Sequence, residues 1–220
     1  MDLEHWIASM KLPQIRKYLE PIKILTENLI QISMETFQES RVHDVLVACI
    51  YLFMNTSTVS LVVPECLKMD QLHRGYILKL ALHQNCHGLK KLDFKCYNSA
   101  FYMSEEELAL MKNVLSTNTE LTLVRIPSVA DLEMVQILLT NCIHLTVLIL
   151  CGSKQITDEA AGIIAGTHEY YVKGPLRKCI KTAQSVANQR SLKLLDVSNT
   201  NITIHGRFVL QSLRNCTVIV

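Results

Sequence analysis

Residues Cys142–Ala160 read CIHLTVLILCGSKQITDEA, and their leucines are spaced as a short buried strand followed by a helix requires. Leu145–Leu150 (LTVLIL) gives an L-x-x-L-x-L strand core, and Ile156–Asp158 (ITD) then offers a helix start. The same spacing returns at Leu192–Val197 (LKLLDV). A unit of this size cannot bury its apolar face alone, so the repetition predicts strand–helix units stacked side by side.

Alignment on this pattern finds five related units, each with three apolar strand positions. Their first positions are Thr58, Leu89, Leu121, Leu145 and Leu192, their second are Leu61, Leu92, Val124, Leu148 and Leu195, and their third are Val63, Phe94, Ile126, Leu150 and Val197. A helical pattern follows each strand, at Asp70–His83, Ser104–Leu115, Asp131–Thr140, Thr157–Ile164 and Ile204–Leu213. We therefore predict an α/β solenoid with parallel strands on its concave face and helices on its convex face.

The repeats account for residues 55–220, and residues 1–54 form a separate block. Pro13 and Pro21 divide short amphipathic helices in that block, which predicts an N-terminal helical cap over the open edge of the solenoid. Residues 166–187 interrupt the repeat rhythm, and we interpret them as a helical insertion, although a degenerate repeat is the alternative. Cys216–Val220 (CTVIV) predicts one more strand with no helix after it.

Composition bounds the classes of function open to a chain of 220 residues. A hydrophobic content of 49% argues against a disordered linker, and a net charge of +2 gives no general argument for nucleic-acid binding. The start MDLEHWIASMKL lacks the features of a secretory signal, and the longest apolar run, Val45–Met54, is too short to span a bilayer. We expect no membrane association, a cytoplasmic or nuclear location, and reduced cysteines.

Sequence signatures of catalysis are missing. The chain contains no G-x-S-x-G, no phosphate-binding glycine loop, no dinucleotide-binding glycine pattern and no H-E-x-x-H. His83, Cys86 and His87 cluster in HQNCH, but Cys86 occupies a buried repeat position and no fourth ligand has suitable spacing. We predict a protein that is not an enzyme and has neither a metal nor a cofactor.

Side chains between the buried strand positions point to the opposite face of the sheet, because side chains alternate along a strand. The candidate partner-binding residues on this concave face are Lys91, Asp93, Leu123, Arg125, Val147, Ile149, Leu194 and Asp196. Four of them are large and apolar, which is typical of a contact site with a charged rim. The alternative is that a helix from Gly166–Ala187 covers these residues and makes them core. We also expect Asp93 and Arg125 to pair as an exposed ion pair across two strands.

The order Cys142, Leu145, Leu148, Leu150, then Ile156-Thr157-Asp158, resembles the cysteine-containing, ribonuclease-inhibitor-like subfamily of leucine-rich repeats. The likeness extends over roughly residues 55–220 and weakens toward Thr58–Val63. Such repeats imply a protein-binding solenoid. The subfamily is common among substrate-recognition subunits of cullin ubiquitin ligases, in which an N-terminal helical box docks the ligase.

Two segments of the N-terminal block resemble such ligase-docking boxes. Leu12–Ile15 (LPQI) resembles the opening of an F-box, and Leu25–Ile32 (LTENLIQI) resembles a VHL-type box that binds elongin C. The resemblance thus implies Skp1, or elongin B/C, with a cullin as partners of these helices, while a plain cap remains the alternative. The other functions considered are a ribonuclease-inhibitor-like enzyme inhibitor and a nucleic-acid-associated scaffold that uses the basic segment Lys173–Lys181. The leading expectation is a non-catalytic intracellular module that binds a protein on its concave face.

Overall fold

The computed structural model describes residues 58–63, 77–79, 81–82, 86–94, 103–166 and 192–220. Within this part of the chain, six short strands form one parallel sheet whose spatial order follows the sequence. The strands are β1 (Ser60–Val63), β2 (Lys91–Phe94), β3 (Leu123–Arg125), β4 (Val147–Ile149), β5 (Leu194–Asp196) and β6 (Thr217–Ile219). The helices that alternate with them are α1 (Glu105–Thr117), α2 (Leu132–Asn141), α3 (Asp158–Ala165) and α4 (Ile204–Leu210). The predicted α/β class and the parallel, sequential sheet are confirmed.

The strand register agrees with the repeat alignment residue by residue. The second apolar positions, Leu61, Leu92, Val124, Leu148 and Leu195, are direct partners on neighbouring strands, and Val218 of β6 continues the row. The first five are at most 1% exposed, which is expected where a helix layer covers one face of a sheet. One hydrophobic core contains this row together with buried residues of α1, α2, α3 and α4.

The helices begin close to where their capping residues predict. Ser104 and Glu107 form a reciprocal capping box at the start of α1, and the Asp131 carboxylate accepts a hydrogen bond from Met134 N–H at α2. Thr157 occupies the N-cap position of α3 without a side-chain capping bond. The last helix is shorter than predicted and ends at Leu210, since a turn with Asn215 at φ 61° leads into β6.

Buried polar side chains connect successive units. Asn118, which follows α1, accepts a hydrogen bond from Leu89 N–H at 3.0 Å and donates to the Val114 carbonyl at 2.8 Å. The Cys142 thiol donates to the Asn118 carbonyl at 3.5 Å. Ser153 Oγ accepts from Ala130 N–H at 3.1 Å. These bonds satisfy loop groups that would otherwise be buried without partners.

Several sequence predictions concern residues outside the described part. These are the helical block 1–54 with its two box-like segments, the insertion after Gly166, and the basic segment Lys173–Lys181. Of the helix predicted at Asp70–His83, residues 77–79 and 81–82 are described and are helical. Across the described ranges, no helix is both long enough and apolar enough to cross a membrane.

Candidate functional site

The eight candidate binding residues lie in two adjacent rows on the sheet face opposite the buried row. The first row runs Lys91, Leu123, Val147 and Leu194, and the second runs Asp93, Arg125, Ile149 and Asp196; each residue is the direct register partner of the next. We call these eight residues the open face. Neighbouring strands lie about 4.8 Å apart, so side chains within a row touch or nearly touch.

The first row is partly exposed along its whole length. Leu123, Val147 and Leu194 form an apolar strip across β3, β4 and β5, with Lys91 at one end. Each of the three aliphatic side chains therefore has surface that is still open to solvent. A protein segment laid across the strands could cover that surface.

The second row is less exposed than expected. Ile149 is only 8% exposed and Asp93 only 2%, whereas Arg125 and Asp196 are partly exposed. The prediction of four apolar surface groups is therefore wrong for Ile149, which is mostly enclosed. Three of the four apolar residues, all in the first row, keep accessible surface.

The predicted Asp93–Arg125 pair is present, but the prediction that it is exposed is wrong. Arg125 Nε lies 3.6 Å from Asp93 Oδ1, and Lys91 Nζ lies 3.8 Å from Asp93 Oδ2. The two long side chains flank the carboxylate from its own strand and from the next one, and the Asp93 side chain is only 3% exposed. Within the described residues, Asp93 Oδ1 has no hydrogen-bond partner, and the ion pairs with Arg125 and Lys91 offset the charge of this buried carboxylate.

The other end of the second row is organised by Asp196. Its Oδ1 accepts hydrogen bonds from Ser198 N–H at 3.0 Å and from the Ser198 hydroxyl at 2.7 Å. Burial raises the pKa of the nearby Cys151 thiol, the negative charge of Asp196 raises it further, and Arg125 partly offsets the rise. Cys151 is thus kept as a neutral thiol at neutral pH, which does not favour nucleophilic chemistry at this position.

Sequence reasoning missed the extension of both rows onto the last strand. Thr217 pairs with Leu194 and Ile219 pairs with Asp196, and both side chains are exposed. The signal was available, because the predicted strand Cys216–Val220 has the same alternation, although it lacks the leucines that fixed the register elsewhere.

The open face offers apolar contacts and charged side chains to which an extended polypeptide could bind. An apolar strip is bordered by Lys91 at one end of its row and by the neighbouring charges Arg125 and Asp196. Among the described residues, no group of three or more His, Cys, Asp or Glu side chains is placed to hold a metal ion. Of the HQNCH cluster, His83 lies outside the described residues, and Cys86 is buried.

Comparison of the chain with protein-family models, with curated proteins and with solved structures finds no match.

Proposed function

We propose that this chain is a non-catalytic interaction module, a leucine-rich repeat solenoid that binds a protein partner on the open face. In this interpretation, the parallel sheet is the inner wall of the solenoid and the helices form its outer wall. The repeat spacing at Leu145–Leu150 and the sequential order of the strands support the solenoid.

The observation that carries the proposal is the strip formed by Leu123, Val147 and Leu194 on three consecutive strands. Covering aliphatic side chains that are already half-buried contributes roughly 1 kcal/mol each to binding. Lys91, Arg125 and Asp196 lie close to the strip and would fix the orientation of a bound segment through charge. An apolar centre with charged neighbours is the usual composition of a protein interface.

Single substitutions in the strip, with a control substitution outside it, test the open face. The Val147→Asp and Leu194→Asp variants place carboxylates in the strip, and the Ile143→Asp variant serves as a control because Ile143 is 53% exposed in a turn outside it. Proteins that co-purify with the wild-type chain from native cells should be retained by Ile143→Asp and lost by the two strip variants, while all three melt at the wild-type temperature. Strip variants that keep the same partners, or that fail to fold, would count against a binding face.

A narrower form of the proposal makes the protein a substrate-recognition subunit of a cullin ubiquitin ligase. It is supported only by the likeness of the repeats and of Leu12–Ile15 and Leu25–Ile32 to such receptors. The same purification tests it: Skp1 or elongin B/C with a cullin should co-purify with the wild-type chain and, unlike the partners of the open face, also with the strip variants, because these subunits would bind the N-terminal segments. Their absence from all samples would leave a stand-alone scaffold.

A further inference from the structure

A row of polar residues borders the open face on the side where the strands begin. Lys90, Thr122, Thr146 and Lys193 each precede a first-row residue of the open face by one position. Backbone hydrogen bonds of 2.8 Å join them in that order, since each N–H donates to the carbonyl of the residue before it in the row. We call these four residues the basic edge.

The two lysines at the ends of the basic edge carry its accessible charge. Both are exposed, and neither has an ion-pair partner within the described part of the chain. The threonines between them are half-buried, and their hydroxyls donate to the Lys90 and Thr122 carbonyls at 2.9 Å. The threonine hydroxyls are thus engaged within the row, while the lysine ammonium groups remain accessible to a partner.

Accessible cations outnumber accessible anions over the basic edge and the open face together. The side chains of Lys91 and Arg125 are 39% and 33% exposed, whereas the Asp93 side chain beside them is only 3% exposed. Asp196 is partly exposed, and its carboxylate already accepts two hydrogen bonds. Glu120 lies outside these rows, in the turn before β3. A partner would therefore meet mainly positive charge beside the apolar strip.

The spacing of the two lysines matches that of an extended polypeptide. Three strand spacings of about 4.8 Å separate Lys90 from Lys193, which is roughly 14 Å. An extended chain advances about 3.4 Å per residue, so its positions i and i+4 are also roughly 14 Å apart and lie on the same side. A segment that crosses the strands could thus place an acid near each lysine and an aliphatic residue over Leu123 and Val147 between them.

The charges also distinguish among possible occupants. Residues 166–187, the alternative cover of the open face, contain Glu169 as their one acid and the basic residues Lys173, Arg177, Lys178 and Lys181. They would bring like charges to the basic edge. Single-stranded nucleic acid would neutralise the lysines, but its bases stack on aromatic side chains and the strip offers only aliphatic ones. A protein segment with acidic and aliphatic side chains complements both the lysines and the strip.

We propose that the segment bound on the open face is acidic and aliphatic, crosses the strands from β2 to β5, and pairs carboxylates with Lys90 and Lys193. Its aliphatic side chains would cover the strip of Leu123, Val147 and Leu194. This inference rests on the function proposed above, because it names the chemistry of the partner for the same face.

Selection of random peptides on the 220-residue chain, followed by titration of the most enriched peptide with a fluorescent label, tests the proposal. We expect enriched sequences with Asp or Glu on both sides of aliphatic residues, and binding that weakens as the salt concentration rises. Lys90→Glu and Lys193→Glu should each weaken binding about three- to tenfold, and Lys193→Gln should weaken it less. Arg207→Glu is the matched control, since it makes the same change in net charge at an exposed position of α4 and should bind as the wild type does.

A neutral substitution in the strip separates failure of this inference from failure of the proposed function. Val147→Ser removes aliphatic surface without adding charge. Enriched peptides that lack acids and bind Val147→Ser more weakly than wild type would keep the open face as a binding site but overturn the acidic partner. Peptides that bind Val147→Ser as tightly as wild type, or no enrichment at all, would contradict both.

Further results would overturn the inference alone. Binding that Lys90→Glu and Lys193→Glu both leave unchanged would exclude the basic edge. Labelled single-stranded DNA that binds more tightly than the peptide would make nucleic acid the occupant, and a doubled mass in solution that Lys193→Glu returns to that of a monomer would make it a second copy. Lys90 and Lys193 are exposed, so wild-type melting temperatures are expected for their variants and separate lost binding from lost folding.

Discussion

The carboxylate of Asp158 binds Thr203 of the next unit through two hydrogen bonds. Thr203 N–H donates to Asp158 Oδ1 at 2.8 Å, and the Thr203 hydroxyl donates to Asp158 Oδ2 at 2.6 Å. Asp158 is the first residue of α3 and Thr203 is the N-cap of α4, so one carboxylate fixes the start of one helix to the start of the next. Successive units are therefore aligned by polar contacts as well as by the shared core.

Removing this carboxylate should weaken the coupling between α3 and α4. We expect Asp158→Ala to lower the free energy of unfolding by about 1 kcal/mol, since the two hydrogen bonds are partly exposed to solvent. Glu159→Ala, one residue further along the same helical turn, is the control and should have a smaller effect. Urea denaturation followed by circular dichroism measures both. Equal effects of the two substitutions would contradict a specific role for Asp158.

The same carboxylate predicts a pH dependence of stability. Hydrogen bonding from the Thr203 hydroxyl is the main cause that lowers the pKa of Asp158 below its ordinary value of 3.8. A carboxyl whose pKa is lower in the folded state contributes stability above the unfolded-state value and loses it as the pH falls through the folded-state value. The stability difference between wild type and Asp158→Ala should thus be constant near neutral pH and shrink below about pH 4. A difference that persists unchanged in acid would argue against this origin.

Substitution of Gly206 tests how closely α4 packs against Asp158. A Cβ built on Gly206 would overlap Asp158 Oδ1 and would lie 2.8 Å from Ile202 Cγ2. Alanine favours helix by about 1 kcal/mol over glycine, but the overlap should outweigh this, so we expect Gly206→Ala to destabilise by roughly 1–3 kcal/mol. The double variant with Asp158→Ala removes one of the two obstacles and should lose less than the sum of the single effects. Strict additivity would show that the two residues do not contact each other.

The strand register was predictable because each unit has the same local spacing of apolar residues. The spacing of Leu145–Leu150 recurs, and aligning the copies places Leu61, Leu92, Val124 and Leu195 in one row, as the structure has them. The same alignment paired Asp93 with Arg125 and Val147 with Leu194. A strand fixes which face a residue occupies through simple alternation, so face and register follow from sequence together.

Burial on the open face was not predictable in the same way. Whether Asp93 is exposed depends on the side chains that surround it in the folded sheet, such as Arg125 of the neighbouring strand, and not on the order of residues in its own strand alone. The early end of α4 also arises from context, because Ile204–Leu213 has the residues of a longer helix. Its last residues instead form the turn that returns the chain to β6.

Asn118 is expected to be essential to the junction between α1 and β2. In Asn118→Ala, the buried Leu89 N–H loses its acceptor, which costs roughly 1–3 kcal/mol of stability. Asn113→Ala is a matched control, since Asn113 is on the exposed side of the same helix. Equilibrium denaturation compares the two, and hydrogen exchange of the Leu89 amide reports the junction directly. An unchanged exchange rate at Leu89 in Asn118→Ala would contradict this assignment.

The ion pairs of Asp93 provide the last prediction. Arg125→Met should destabilise the fold by about 2 kcal/mol, because among the described residues it leaves the buried carboxylate with Lys91 as its one remaining counter-charge. Lys91→Met is the control and should cost less, since the Lys91 ammonium is farther from the carboxylate and its side chain is 39% exposed. The double variant Asp93→Leu with Arg125→Met should recover most of the loss, because replacing both partners of a buried pair with apolar groups leaves no unbalanced charge. Thermal and urea unfolding of the wild type and the three variants measure these differences in stability. A double variant less stable than Arg125→Met alone would contradict this account, because it would show that the Asp93 carboxylate does not cost stability when Arg125 is absent.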